Sequence, residues 1–153
     1  ESMTLVGAIF VKMIGATILT AYLIHAEMPT RLFEWMSQYV HSAAMFLLIM
    51  NVMLLLVGCL MDIFSAIIVV VPLITPIAAE FGVDPVHLAI IFLTNLEIGY
   101  ITPPVGINLF ISSFRFKKPV TELYNDVVPF LILLLIALAI ITYVPALSLY
   151  LVN

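Results

Sequence analysis

N-L-E-I-G-Y-I-T-P-P-V-G-I-N-L-F, residues 95–110, lies within an apolar stretch that no continuous helix can cross. Each proline lacks an amide hydrogen, and its ring clashes with the preceding turn. A helix from Pro85 to Ile98 therefore stops at Gly99, and another resumes from Ile107 to Phe114. Pro103 cannot donate to the carbonyl of Gly99, nor Pro104 to that of Tyr100, so two oxygens are released near mid-span. Stranding such groups in hydrocarbon costs on the order of several kcal/mol each. A dehydrated cation answers that need, because hard ions take oxygen ligands and unwound helices supply them in secondary transporters. Asn95 and Thr102 add side-chain oxygens, and Gly99 and Gly106 allow close backbone approach. The alternative is a kinked helix whose carbonyls are met by Ser, Thr or water.

The composition fits such a span. Of 153 residues, 65% are hydrophobic and 9% charged, against about 25% charged in soluble domains. With a mean hydropathy of +1.29, there is too little polar surface for a water-soluble fold. The expectation is an all-α membrane protein, each crossing using about 20 residues. A net charge of -4 with no basic stripe argues against nucleic acid as a partner. Cys59 is the only cysteine and reads as a small buried residue. No nucleophile triad, phosphate loop or metal box is recognisable, so neither an enzyme nor a transition-metal site is expected. With no basic run before it, the opening apolar stretch reads as a mature span, not a signal peptide.

The chain divides into four segments. Residues 1–42 hold a first transmembrane span, Thr4 to Ile24, and an amphipathic interfacial helix, Arg31 to His41, edged by Trp35 and Tyr39. Residues 43–81 form two apolar arms, each short for a full crossing and separated by Gly58 and Asp62. They suggest a re-entrant hairpin with its tip at membrane depth, the alternative being two ordinary spans joined by a tight turn. Residues 82–118 begin with the turn Gly82-Val83-Asp84-Pro85 and contain the discontinuous span. Residues 119–153 comprise a polar connector, Pro119 to Asn125, and a last span from Val127, bent by Pro129 and Pro145. Three of the five basic residues, Arg115, Lys117 and Lys118, place the loop 115–125 in the cytoplasm and the C-terminus outside.

Other polar residues offer chemistry. Asp62 caps the second arm with Ser65 in its first turn, a pair of oxygens beside a helix N-terminus. Glu97 is a cation ligand, a proton site or a partner for Lys12. Lys12 itself lies mid-span beside Ala8, Ala16 and Gly15, a small-residue stripe that turns it into protein, where it attracts an anion or snorkels. Asn108 and Ser112 give the second half-helix a polar stripe. His25, His41 and His87 fall at helix ends and read as interfacial.

The runs M-D-I-F-S-A-I-I-V-V-V-P-L-I-T-P-I-A, G-V-D-P-V-H-L-A-I-I-F-L-T-N-L-E-I-G-Y-I-T-P-P-V-G-I-N-L-F and I-T-Y-V-P-A-L-S-L-Y-L resemble the C-terminal part of the large membrane subunit of tripartite ATP-independent periplasmic (TRAP) transporters. The resemblance implies a Na⁺-driven importer of organic acids, of the C4-dicarboxylate or sialic acid type, in the bacterial inner membrane. A periplasmic substrate-binding protein and a small membrane subunit are its implied partners. It also implies an elevator-type fold of two inverted repeats, each with a re-entrant hairpin and a broken helix, of which one hairpin and one break are present here. The absent N-terminal repeat would then be a further partner. By that pattern the hairpin tip is Asp62 to Ser65, and Gly99 to Gly106 lines the Na⁺ site. The substrate pocket takes in Pro103 and Pro104, with Asn108 and Lys12 nearby. Three rivals remain: an accessory subunit, a channel half-pore and a proton-coupled relative.

Overall fold

Proline, glycine and capping residues cut the apolar chain into its helices. The computed structural model describes residues 2–103 and 106–150, with backbone alone at 2–6, 8, 9, 12, 29 and 107. Among these the elements are α1 (Ser2–His25), α2 (Met28–Ser37), α3 (Ala43–Leu60), α4 (Ile63–Glu80), α5 (Pro85–Gly99), α6 (Ile107–Phe116), α7 (Val120–Tyr143) and α8 (Pro145–Leu149), and no strand occurs. Ser42, Asp62 and Asp84 cap α3, α4 and α5, each accepting a main-chain amide in the first turn, as N-cap chemistry requires.

The path is a series of parallel and antiparallel runs. α3 rises to a two-residue turn at Met61 and Asp62, and α4 returns from it. α5 then runs parallel to α3: Asn51 bonds Asn95, and Gly58 faces Leu96 and Gly99. α7 is antiparallel to α5, with Leu134 beside Glu97 and Ile98, and Thr142 beside His87. The core lies between these helices and α4, around Phe46, Met50, Leu54, Ile74, Ile91 and Phe92. Its arms part beyond the tip: α3 packs mainly on α5, α4 mainly on α1.

α3, α4 and α7 are long and apolar enough to cross a membrane. At 18 residues each, α3 and α4 measure about 27 Å, and the 24 residues of α7 about 36 Å, at 1.5 Å per residue. Length alone thus fits two ordinary spans as well as a hairpin. Large apolar side chains remain exposed along α1, α3 and α7, including Phe10, Ile14, Leu48, Val52, Phe130 and Leu133, as lipid-facing surfaces do.

Proline also explains how α1 docks. Pro72 lies inside α4 and cannot donate to the carbonyl of Ile68 four residues earlier. That carbonyl instead accepts the Thr20 hydroxyl from α1 at 2.9 Å, a proton Thr20 shares with its own Ala16 carbonyl.

Several boundaries differ from the sequence reading. The amphipathic helix begins and ends three to four residues earlier, because Pro29 supplies an N-terminal start and the chain leaves helix after Ser37. The polar residues 120–125 are not a connector but the first turns of α7, since Pro119 at the N-cap starts a helix. Pro145 does not merely bend the last helix; it ends α7 at Tyr143 and starts α8. Gly58 is not a stop signal but an interior residue of α3. Thr20→Val removes the hydroxyl and leaves the Ile68 carbonyl without its inter-helix donor. Thermal unfolding in detergent is expected to show a loss of about 1–3 kcal/mol, and Thr17→Val, whose hydroxyl bonds only its own helix among the described groups, serves as the unchanged control.

Candidate functional site: the hairpin tip against the broken helix

Two glycines bring the tip and the break together. A Cβ on Gly99 would lie 2.6 Å from Gly58 Cα and 2.8 Å from Cys59 N, and one on Gly58 would lie 3.1 Å from Leu96 Cα. The two backbones touch there, which only residues without side chains permit. Because α3 and α5 are parallel, this crossing sets their C-terminal ends side by side. The turn at Met61 and Asp62 and the unwound stretch after Gly99 therefore lie at one level. Tyr100 borders the contact, lining one cleft with Ile63 of α4 and Glu97.

At the tip, Asp62 Oδ1 accepts the Ser65 amide at 3.2 Å, and Asp62 Oδ2 accepts the Ser65 hydroxyl at 2.8 Å. The expected oxygen pair is thus in place and half-buried at the start of α4. At the break, the carbonyls freed by the prolines are not left bare. The Gly99 carbonyl accepts the Thr102 amide at 3.0 Å, and the Tyr100 carbonyl accepts the Asn108 amide from the first turn of α6 at 3.1 Å. Proline spacing alone predicts a foreign group against these oxygens. Here the loop folds back instead, and each oxygen keeps only its second lone pair for another partner.

Gly106, at φ 51°, makes this turn possible. A Cβ there would lie 3.1 Å from Thr102 O and 3.2 Å from Tyr100 O, so the left-handed backbone and the close carbonyls both favour glycine. The Thr102 hydroxyl donates to Ile98 O at 2.7 Å and closes the last turn of α5; its lone pairs remain acceptors. Asn108 is half-buried in the first turn of α6. Pro103 lies within the turn, whereas Pro104 and the side chain of Lys12 lie outside the described residues.

Asn95 faces α3. It is fully buried on the face of α5 turned to α3, one turn before the break, and its Nδ2 is spent on Asn51 Oδ1 and Ile91 O. Its Oδ1 is buried with no partner among the described residues. His87 is buried inside the protein. It is 3% exposed and bridges Ser148 Oγ and the Thr142 carbonyl. Glu97 points the other way, exposed in a shallow cleft of about 380 Å³ with Ile63, Tyr100 and Leu134.

Asn51, Tyr100 and Thr142 were not singled out in the sequence. A lone amide in the strongly apolar α3 was the available signal for Asn51; Tyr100 and Thr142 carried none apart from position.

These features define a multi-pass α-helical membrane protein with a helical hairpin abutting an interrupted helix, an architecture suited to solute transport. The family model described as "Tripartite ATP-independent periplasmic transporter, DctM component" matches residues 1–147. The chain belongs to this family of transporter large permeases. It is 42% identical over 127 residues to the C4-dicarboxylate TRAP transporter large permease DctM of Pseudomonas aeruginosa, covering 83% of this chain and 30% of that protein. It is 39% identical over 142 residues to the isethionate TRAP transporter permease DctMQ of Oleidesulfovibrio alaskensis, covering 93% and 22%. It is 28% identical over 151 residues to the sialic acid TRAP transporter large permease SiaM of Vibrio cholerae, covering 99% and 35%. The chain spans about a third or less of the length of these relatives.

Gly99→Ala forces the two backbones apart and is expected to cost about 1–3 kcal/mol in thermal unfolding, whereas Gly7→Ala, in open space within α1, causes no loss and gains up to about 1 kcal/mol from helix propensity. Asp62→Ala loses the cap and about 1 kcal/mol; Asp62→Asn, which can still accept the Ser65 amide, retains most of that stability in the same measurement.

Proposed function

We propose that this segment carries one cation site of a Na⁺-coupled permease that imports small organic anions, of the C4-dicarboxylate or sialic acid type, across the bacterial inner membrane. A periplasmic substrate-binding protein delivers the anion, and a small membrane subunit accompanies the permease. The carrying observation is the meeting of tip and break at one level, sealed by Gly58 against Gly99. Asp62 and Ser65 start α4 at that tip, and in the unwound turn the carbonyls of Tyr100 and Thr102 crowd Gly106. Sodium prefers such oxygen-rich, unwound backbone. In this reading Asp62, Ser65, Gly99, Thr102 and Gly106 surround the ion. Pro103, Pro104 and Asn108 face the anion, and Lys12 draws it in. Asn95, whose Oδ1 is buried with no partner among the described residues, adds an oxygen from one turn before the break.

A re-entrant tip also fits the path of the chain. α3 ends beside the end of α5, yet the chain continues through the ten residues of α6, about 15 Å more, and α7 packs on both. The tip then stops part-way along a discontinuous span, the geometry an elevator-type transporter moves as a block. With Arg115, Lys117 and Lys118 cytoplasmic, the C-terminus is periplasmic.

The exposed carboxyl of Glu97 beside Tyr100 favours one second reading, proton coupling. Uptake of labelled substrate by the transporter in proteoliposomes separates the two. Sodium coupling predicts uptake that disappears when Na⁺ is replaced by choline, and a half-saturating Na⁺ concentration raised about tenfold by Thr102→Ala, equivalent to about 1.4 kcal/mol. Uptake indifferent to Na⁺ and abolished by Glu97→Gln would establish the second reading. Uptake unaffected by all three changes would leave an accessory role.

A further inference from the structure

Asn51, Asn95 and Thr142 lie on three different helices, yet they are 8%, 0% and 0% exposed and linked in one chain of hydrogen bonds. Asn95 Nδ2 donates to Asn51 Oδ1 at 2.7 Å, and Asn51 Nδ2 donates to Thr142 Oγ1 at 2.9 Å. Both amides have a fixed orientation. Asn95 Nδ2 also faces Ile91 O at 2.8 Å, so turning the amide over would set two acceptors against each other. The Thr142 carbonyl continues the ladder. A carbonyl only accepts, so the 3.2 Å contact makes His87 Nε2 the donor, and His87 Nδ1 accepts the Ser148 hydroxyl at 3.0 Å.

Apolar side chains in lipid give two helices little reason to prefer one axial register over another, whereas directional bonds do. Asn51 lies seven residues before Gly58, and Asn95 four before Gly99. The amide pair therefore determines which residues of α3 and α5 meet at the crossing. Sliding either helix by one turn, about 5.4 Å, would carry these bonds beyond hydrogen-bonding distance.

We infer that Asn51, through its bond to Asn95, is a positioning residue that holds the hairpin tip in register with the broken helix, and so sets the affinity of the cation site without touching the ion. This inference rests on the Na⁺ reading above. A merely stabilising ladder makes a different prediction, because replacing every partner with an apolar isostere restores stability but not direction. The test is Asn51→Leu/Asn95→Leu/Thr142→Val in the complete transporter, alongside the single variants. The triple variant unfolds within a few degrees of the unmodified protein, its half-saturating Na⁺ concentration rises at least tenfold, and its maximal uptake at saturating Na⁺ stays within twofold. Spin labels at Leu60→Cys and Leu93→Cys, with Cys59→Ala, report register without reference to Na⁺: the interlabel distance shifts or broadens in the triple variant. An unchanged distance, or a shifted distance with unchanged Na⁺ dependence, overturns the inference. A shifted distance in a transporter indifferent to Na⁺ overturns the coupling reading and supports the register role alone.

Discussion

Backbone contact between Gly58 and Gly99 is the constraint on which the site depends. Two helices cannot approach so closely when either carries a Cβ at the crossing, and in a membrane such packing supplies much of the association energy. Since the glycines lie near the ends of parallel helices, the contact also aligns the segments into which those helices lead. A two-residue turn and an unwound loop, each unremarkable alone, become facing walls. Tyr100 beside Ile63 at the start of α4 and Gly106 tucked against two carbonyls are consequences of that alignment.

Around this contact the chain repeatedly converts a proline's cost into an inter-helix attachment. Pro72 frees the Ile68 carbonyl, and Thr20 of α1 takes it. Where Pro145 ends α7, the Thr142 carbonyl is taken by His87 of α5. At the break the solution is local, with the amides of Thr102 and Asn108 turning back on the carbonyls of Gly99 and Tyr100. Backbone groups in a lipid-facing protein must be satisfied from within, and here defects in one helix specify its neighbours.

The features legible in the sequence were local. The break at Gly99 to Gly106, the turn at Asp62, the caps at Asp62 and Asp84 and the helical class all arise from proline, glycine and short polar side chains acting within a turn of themselves. The family resemblance, carried by the same motifs, was also correct. Inter-helix partnership was not legible. Asn95 looks like a ligand from its nearness to the break, and spacing does not reveal that the parallel packing of α3 brings Asn51 to its amide nitrogen. His87 looks interfacial from its place at a helix start, but α7 and α8 bury it. The pairing of carbonyls across the break depends on the left-handed backbone of Gly106, and spacing alone does not reveal where the amides after it point.

A density map of the transporter in lipid nanodiscs, resolved well enough to trace main-chain carbonyls, is the most direct measurement. The account predicts Gly58 and Gly99 in backbone contact, with the turn at Met61 and Asp62 at the same membrane depth as an unwound stretch ending at Gly106. A tip at the opposite membrane surface, or α5 and α6 joined as one uninterrupted helix, would contradict it.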